Sequence, residues 1–128
     1  MTNRVVHFEI PFDDGDRART FYGDVFGWQV MPVPEMEYTL VTTGPTDREQ
    51  GPSEVGFING GLLKRQGDWN APNIVIDVDN IEHVLKSIGE HGGSAVQERQ
   101  AVGDMGFAAY FKDSEGNLIG LWESASGS

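Results

Sequence analysis

Residues 7–30 read HFEIPFDDGDRARTFYGDVFGWQV, and residues 73–96 read NIVIDVDNIEHVLKSIGEHGGSAV. At a constant offset of 66 positions the two stretches align without a gap: Ile10 falls on Ile76, Asp13 on Asp79, Gly23 on Gly89, Gly27 on Gly93 and Val30 on Val96. Between these points Phe8 meets Ile74, Phe12 meets Val78 and Ala18 meets Val84. Similarity at a long fixed offset is an architectural signal. Two copies are too few for a solenoid, so they predict one domain made of two modules related by a pseudo-twofold axis. His7 of the first copy stands where the second has Asn73.

Each copy opens on a period of two, the mark of a half-buried strand. Val6, Phe8 and Ile10 share one face and His7 and Glu9 the other; Ile74, Ile76 and Val78 oppose Asn73, Val75 and Asp77. A helix start follows each strand, with Asp13-Asp14-Gly15-Asp16 and Asp79-Asn80 supplying caps and negative charge. Ala18, Phe21, Tyr22, Val25 and Phe26 then recur at helical spacing, as do Ile81, Val84, Leu85 and Ile88. Gly27 and Gly92-Gly93 are the natural stops. Further strands are predicted at 28–31, 38–43 and 55–63, and at 94–97, 107–111 and 118–122. The long connection 44–54 reads as a mobile loop, and 113–117 as a turn.

The prediction is an α+β domain of two βαβββ modules, with eight strands forming a curved cup and one helix behind each half. Module 1 covers about residues 4–64, a linker 65–72, module 2 about 73–123, and a frayed tail 124–128. Val6, Phe8 and Ile10 must face the first helix, so His7 and Glu9 face the cup. By the same phase Asn73, Val75 and Asp77 line it from the second module, with Leu118, Gly120 and Trp122 from the last strand. Tyr38 and Phe107 are further candidates, on strands whose phase the sequence leaves open. Gly60-Gly61 reads as a place of close backbone approach or strand irregularity.

Composition narrows the function classes. The 128 residues suffice for one continuous core. With no cysteine there are no disulfides, thiolate metal sites or cysteine nucleophiles. Twenty acidic residues against nine basic ones give a formal charge of −11. Such a field repels phosphate backbones, which argues against nucleic acid; it would attract a cationic small molecule, but solubility alone is the simpler explanation. No apolar run approaches the roughly 18–20 residues needed to span a bilayer, and Arg4 leads straight into a strand pattern, so a soluble, cytoplasmic protein is expected.

Several local motifs add to the paired modules: His7-Phe8-Glu9-Ile10-Pro11, Phe21-Tyr22, Phe26-Gly27-Trp28, Asn59-Gly60-Gly61-Leu62, Asp113-Ser114-Glu115-Gly116-Asn117 and Gly120-Leu121-Trp122. On these, over about residues 4–123, the chain resembles the vicinal oxygen chelate superfamily, which holds glyoxalase I, extradiol dioxygenases and the fosfomycin- and bleomycin-resistance proteins. More narrowly it resembles a bacterial glyoxalase-like subgroup without an assigned reaction. The resemblance implies a homodimer, because relatives bury sheet edges and apolar surface against a second copy.

Metal-using relatives place four ligands on the concave face: His or Gln in each first strand and Glu in each last strand. His7 matches the first position, whereas Asn73 stands where a His would be and Gly120 where a Glu would be. Asn59-Gly60-Gly61 offers neither carboxylate nor imidazole in register. One ligand of four remains, too few for zinc or for an octahedral ion. The expected function is therefore metal-independent binding of a small organic ligand, partly aromatic or apolar, with no cofactor. The ligand would meet Asn73, Val75, Asp77, Leu118, Gly120, Trp122, Tyr38 and Phe107, with Trp122 stacking on it. The alternative is a lyase, isomerase or dioxygenase in which His7 and Glu9 are catalytic, with or without a divalent metal held by His7 with Glu9. A neighbouring Glu9 charge would raise the His7 pKa and suit it to act as a general acid or anion-binding group.

Overall fold

The computed structural model describes residues 3–47 and 50–125. The chain is α+β, with two α-helices and eight principal strands among the described residues. It divides into two compact units, one spanning His7–Pro72 and the other built on Asn73 onward together with the N-terminal stretch up to Val6.

In the first unit, β1 (Val5–Phe12) leads into α1 (Gly15–Phe26), β2 (Gln29–Val33), one 3-10 turn (Pro34–Met36) and β3 (Tyr38–Thr42). A small hairpin of β4 (Thr46–Asp47) and β5 (Gly51–Pro52) precedes β6 (Asn59–Lys64). The strand order is β2-β3-β6-β1. β6 returns parallel to β1, and the other two pairings are antiparallel. The Asp14 carboxylate caps α1 by accepting from the Arg17 N–H at 3.1 Å. The helix stops at Gly27, whose φ of 71° is left-handed and whose N–H donates to the Gly23 carbonyl at 3.0 Å.

The phase of β1 sets which side chains meet α1. The Phe8 ring lies 5.7 Å from that of Trp28, and Trp28 stacks on Tyr22 at 5.2 Å with their planes 6° apart. Gly60 sits opposite Phe8, where a Cβ would run into the phenyl ring and the Phe8 carbonyl. Arg19 also turns inward, donating to the hydroxyl of buried Thr39 at 3.1 Å. The apolar stripe read along α1 is only partly buried. Tyr22 and Ala18 face inward, but Phe21, Val25 and Phe26 are 53%, 58% and 58% exposed. Five apolar side chains at these positions cover more of the helix surface than one sheet can touch, and Trp28 folds back against Tyr22 and Phe26.

In the second unit, β7 (Asn73–Asp77), α2 (Ile81–Glu90), β8 (Ser94–Val102), β9 (Gly106–Lys112) and β10 (Leu118–Ser124) follow in order. The strand order is β7-β10-β9-β8, with β7 and β10 parallel. Asp77 also exchanges backbone bonds with the start of the chain: Asn3 N–H donates to its carbonyl, and its own N–H to Arg4 O at 2.9 Å. The opening of β1 therefore belongs to this unit. The core is Val78, Ile81, Ala109, Phe111 and Leu121, with Ile76, Val84, Leu85, Ile88, Phe107 and Ile119 packed around it. Asn80 caps α2 through the His83 N–H at 2.9 Å. The strand predicted at 94–97 is longer, because β8 carries irregularities between Ala95 and Gln97 and between Gln97 and Gln100 that let it stay paired with β9. The predicted tail starts later than residue 124: Ser124 closes β10 and Ala125 N–H donates to Met105 O at 3.0 Å, while 126–128 lie outside the described residues. No described helix is long and apolar enough to cross a membrane.

Candidate functional site

β1 presents His7 and Glu9 on the face opposite Phe8. The parallel register sets His7 against Asn59 and Glu9 against Gly61, and β3 continues the Gly61 row with Leu40. Tyr38 starts one row away, opposite Leu63. Its ring leans across Gly61, where any Cβ would land on the phenol. The missing side chain at Gly61 thus makes the slot through which Tyr38 reaches β1.

The result is a chain of three polar groups. The Tyr38 hydroxyl donates to Glu9 Oε2 at 2.8 Å, and the same oxygen lies 2.8 Å from His7 Nε2. Glu9 is 4% exposed, so its carboxylate is held through this contact and not by bulk water alone. Burial pushes the His7 imidazole below its ordinary pKa, and the opposing pull of the Glu9 charge is smaller. The expectation that Glu9 would raise His7 is therefore corrected: desolvation outweighs the neighbouring charge, and the neutral ring is favoured.

Two features border this trio. Leu40 is cross-strand from Met31, and both are substantially exposed, at 36% and 51%. Directly paired residues project to the same side, so an open apolar strip continues the Glu9–Gly61 row. On the His7 row, Asn59 accepts from the Thr43 N–H and donates to the Thr46 hydroxyl, each at 2.9 Å. That tethers the β4–β5 hairpin beside His7. The predicted loop 44–54 thus contains ordered structure, with its residues 48–49 outside the description. On the helix side, a groove of about 290 Å³ lies at the start of α1 between Pro11, Phe12, Ala18, Phe21 and Tyr22.

The remaining sequence candidates belong to the second unit. Asn73 and Val75 are buried, each 7% exposed, and Asn73 Oδ1 has no hydrogen-bond partner among the described residues. Gly120 pairs with Val75 on one side and Tyr110 on the other. A Cβ there would stand 3.0 Å from Val75 Cγ2 and 3.2 Å from Tyr110 Cε2, so a Glu at this position would displace its neighbours. Trp122 shares this face, its ring against Gly106. Leu118 is half-buried opposite Lys112. Asp77 is half-buried opposite Trp122, and burial pushes its carboxyl up. Phe107 does not join them. It points to the helix side, packs on the core and carries the Arg99 guanidinium 3.6 Å above its ring. The alternation of β9, which places Ala109 and Phe111 in the core, fixes that phase and gives the face instead to Tyr110, a residue the sequence reading omitted.

Among the described residues, no three His, Cys, Asp or Glu side chains come together as a cation site. His7 and Glu9 both turn to one phenol oxygen that lies between them. His7 and Glu9 supply two side chains here, whereas a structural or catalytic zinc site takes at least three protein ligands.

Residues 4–44 match the model of the bleomycin resistance protein-like N-terminal family. A protein described as a probable lactoylglutathione lyase, from Vibrio parahaemolyticus, is 30% identical over 133 residues, spanning 100% of this chain and 96% of its own length. Among solved structures, a methylmalonyl-CoA epimerase in complex with methylmalonyl-CoA and NH4+ superposes with a TM-score of 0.68 at 18% identity, covering 100% of this chain and 99% of that one. A glyoxalase/bleomycin resistance protein/dioxygenase superfamily member from Vibrio splendidus superposes with a TM-score of 0.64 at 18% identity, covering 96% of this chain and 100% of that one. At such identities the structures share the fold.

Proposed function

Because the chain belongs to the vicinal oxygen chelate superfamily, we propose that it binds a small organic ligand without a resident metal, on the face of the first unit that carries His7, Tyr38 and Glu9. The observation that carries this reading is the Tyr38 hydroxyl between His7 and Glu9, 2.8 Å from each. It engages His7 Nε2 and Glu9 Oε2, two of the atoms through which these side chains could share a cation. Leu40 and Met31 supply apolar area next to the polar trio, and Glu9 with the net charge of −11 supplies a negative field. The ligand is accordingly apolar or aromatic with one polar or cationic end. The protein acts as a cytoplasmic homodimer.

A second reading has its own support. The relative described as a probable lactoylglutathione lyase suggests an enzyme in which His7 and Glu9 are catalytic, with or without a divalent metal that His7 with Glu9 would hold. Elemental analysis after dialysis against a weak chelator separates the two. The binding reading expects no stoichiometric metal, together with a thermal midpoint raised by aromatic amines in a ligand screen. Stoichiometric zinc, nickel, iron or manganese would replace it with the lyase reading.

A further inference from the structure

We infer that Tyr38 is the positioning residue of this face: its hydroxyl, carried over Gly61 and bonded to Glu9, fixes His7 as the Nε2–H tautomer and leaves Nδ1 as the acceptor offered to a ligand. The inference deepens the binding reading above and rests on it for the identity of the face.

The argument is a proton count. A phenol has one proton, and an ionised carboxylate only accepts. The Tyr38 O–H is therefore committed to Glu9 Oε2 at 2.8 Å, and at its 2.8 Å contact with His7 the phenol oxygen must accept. The donor there is Nε2–H. A neutral imidazole has a single N–H, so Nδ1 keeps its lone pair. The bond to the charged carboxylate is the stronger of the two and sets the direction of the chain. Gly61 completes the device, since a Cβ there would fall on the phenol ring and lift the hydroxyl away from both partners. A ligand group that meets His7 must then be a donor, an N–H or an O–H. A carboxylate would bring lone pairs against a lone pair, with the buried Glu9 charge close behind.

Long-range 1H–15N correlation spectra of labelled protein in mildly alkaline buffer, where free imidazoles are neutral, read the tautomer directly. His7 is assigned by the signal lost in His7→Gln. The expected wild-type pattern is one tautomer, with Nε2 pyrrole-like and Nδ1 pyridine-like. Tyr38→Phe should move both nitrogens toward the averaged position of an exchanging pair, and acetate, an acceptor only, should leave Nδ1 unmoved. A wild-type Nδ1–H tautomer, a Tyr38→Phe spectrum with the wild-type tautomer intact, or a saturable shift of Nδ1 with acetate would each overturn the inference. If Tyr38→Phe does not fold, the wild-type tautomer decides alone. Failure of the binding reading is distinguishable, because ligand-induced thermal shifts can vanish while the tautomer stays fixed, and the reverse.

Discussion

Two adjacent residues of β1 have opposite structural duties, and their substitution separates them. Phe8 is wedged between Gly60 and the Trp28 ring, so Phe8→Ala opens a cavity under α1 and should destabilise by about 3 kcal/mol, a sizeable share of the roughly 5–15 kcal/mol of a domain. His7→Ala removes a ring from the opposite face, and its effect on stability should be much smaller while ligand binding is lost. Denaturant unfolding of both variants beside wild type checks the pair; equal losses would contradict the phase of β1. Gly61→Ala is the sharper probe of the same face. A methyl group in the Tyr38 slot should destabilise by about 1–3 kcal/mol, and because the clash is with the phenol itself, the loss should largely disappear in a Tyr38→Ala background. An undiminished penalty in the double variant would mean that Gly61 serves the backbone and not Tyr38.

These residues also mark how far the sequence can be read. Alternation in residues 5–12 placed His7 and Glu9 opposite Phe8 because the period of a strand is fixed by its backbone. Gly60-Gly61 could be read as a close approach, but not as a slot for Tyr38. That contact joins residues 29 positions apart and depends on the register between β3 and β6, which no local pattern encodes. The sign of the His7 pKa shift escaped for a similar reason. The neighbouring charge is visible in the sequence, whereas the burial that outweighs it is a property of the packed strands.

Among the elements, α2 is anchored at its start by a residue from a strand. The Glu123 carboxylate of β10 accepts from the Ile81 N–H at 2.9 Å and from Arg99 Nη2 at 3.0 Å. The Arg99 hydrogen bond first, and then the helix N–H, hold the Glu123 carboxyl below the usual carboxylate range. A carboxyl depressed in the folded state stabilises above its unfolded pKa, and that contribution is lost as pH falls through the folded value. Glu123→Gln should therefore be less stable than wild type at neutral pH, with the gap closing as acid protonates Glu123. Urea melts of the two proteins across that range test it, and a gap independent of pH would show that the carboxylate charge is not what anchors α2. Both helix starts were legible, because Asp14 and Asn80 are local caps; the Glu123 anchor was not, since it arrives from 42 residues away. The outer strands β2 and β8 carry their own protection, Pro32 in one and the irregular register of the other. Edge exposure is thus a weaker argument for self-association than the sequence suggested.

At the scale of the whole molecule, the dimer proposal turns instead on α1. Phe21, Val25 and Phe26 are each more than half exposed, with ring contacts at 6.4 Å between Phe21 and Phe26 and 6.2 Å between Tyr22 and Phe26. Contiguous exposed apolar surface of this kind marks an interaction site. A second copy fits that role under the dimer proposal, but each copy also brings a formal charge of −11, and two such charges repel. The two effects answer differently to salt: screening weakens the repulsion within a Debye length of roughly 8–10 Å, while apolar burial is left in place. Light scattering should therefore give twice 14.0 kDa, with the dimer strengthened as ionic strength rises. Phe21→Asp combined with Val25→Asp should return the mass to 14.0 kDa without unfolding the chain, since neither side chain is buried within it. A mass that stays at 14.0 kDa for wild type across concentration and salt would remove the dimer and leave the aromatic face of α1 to another partner.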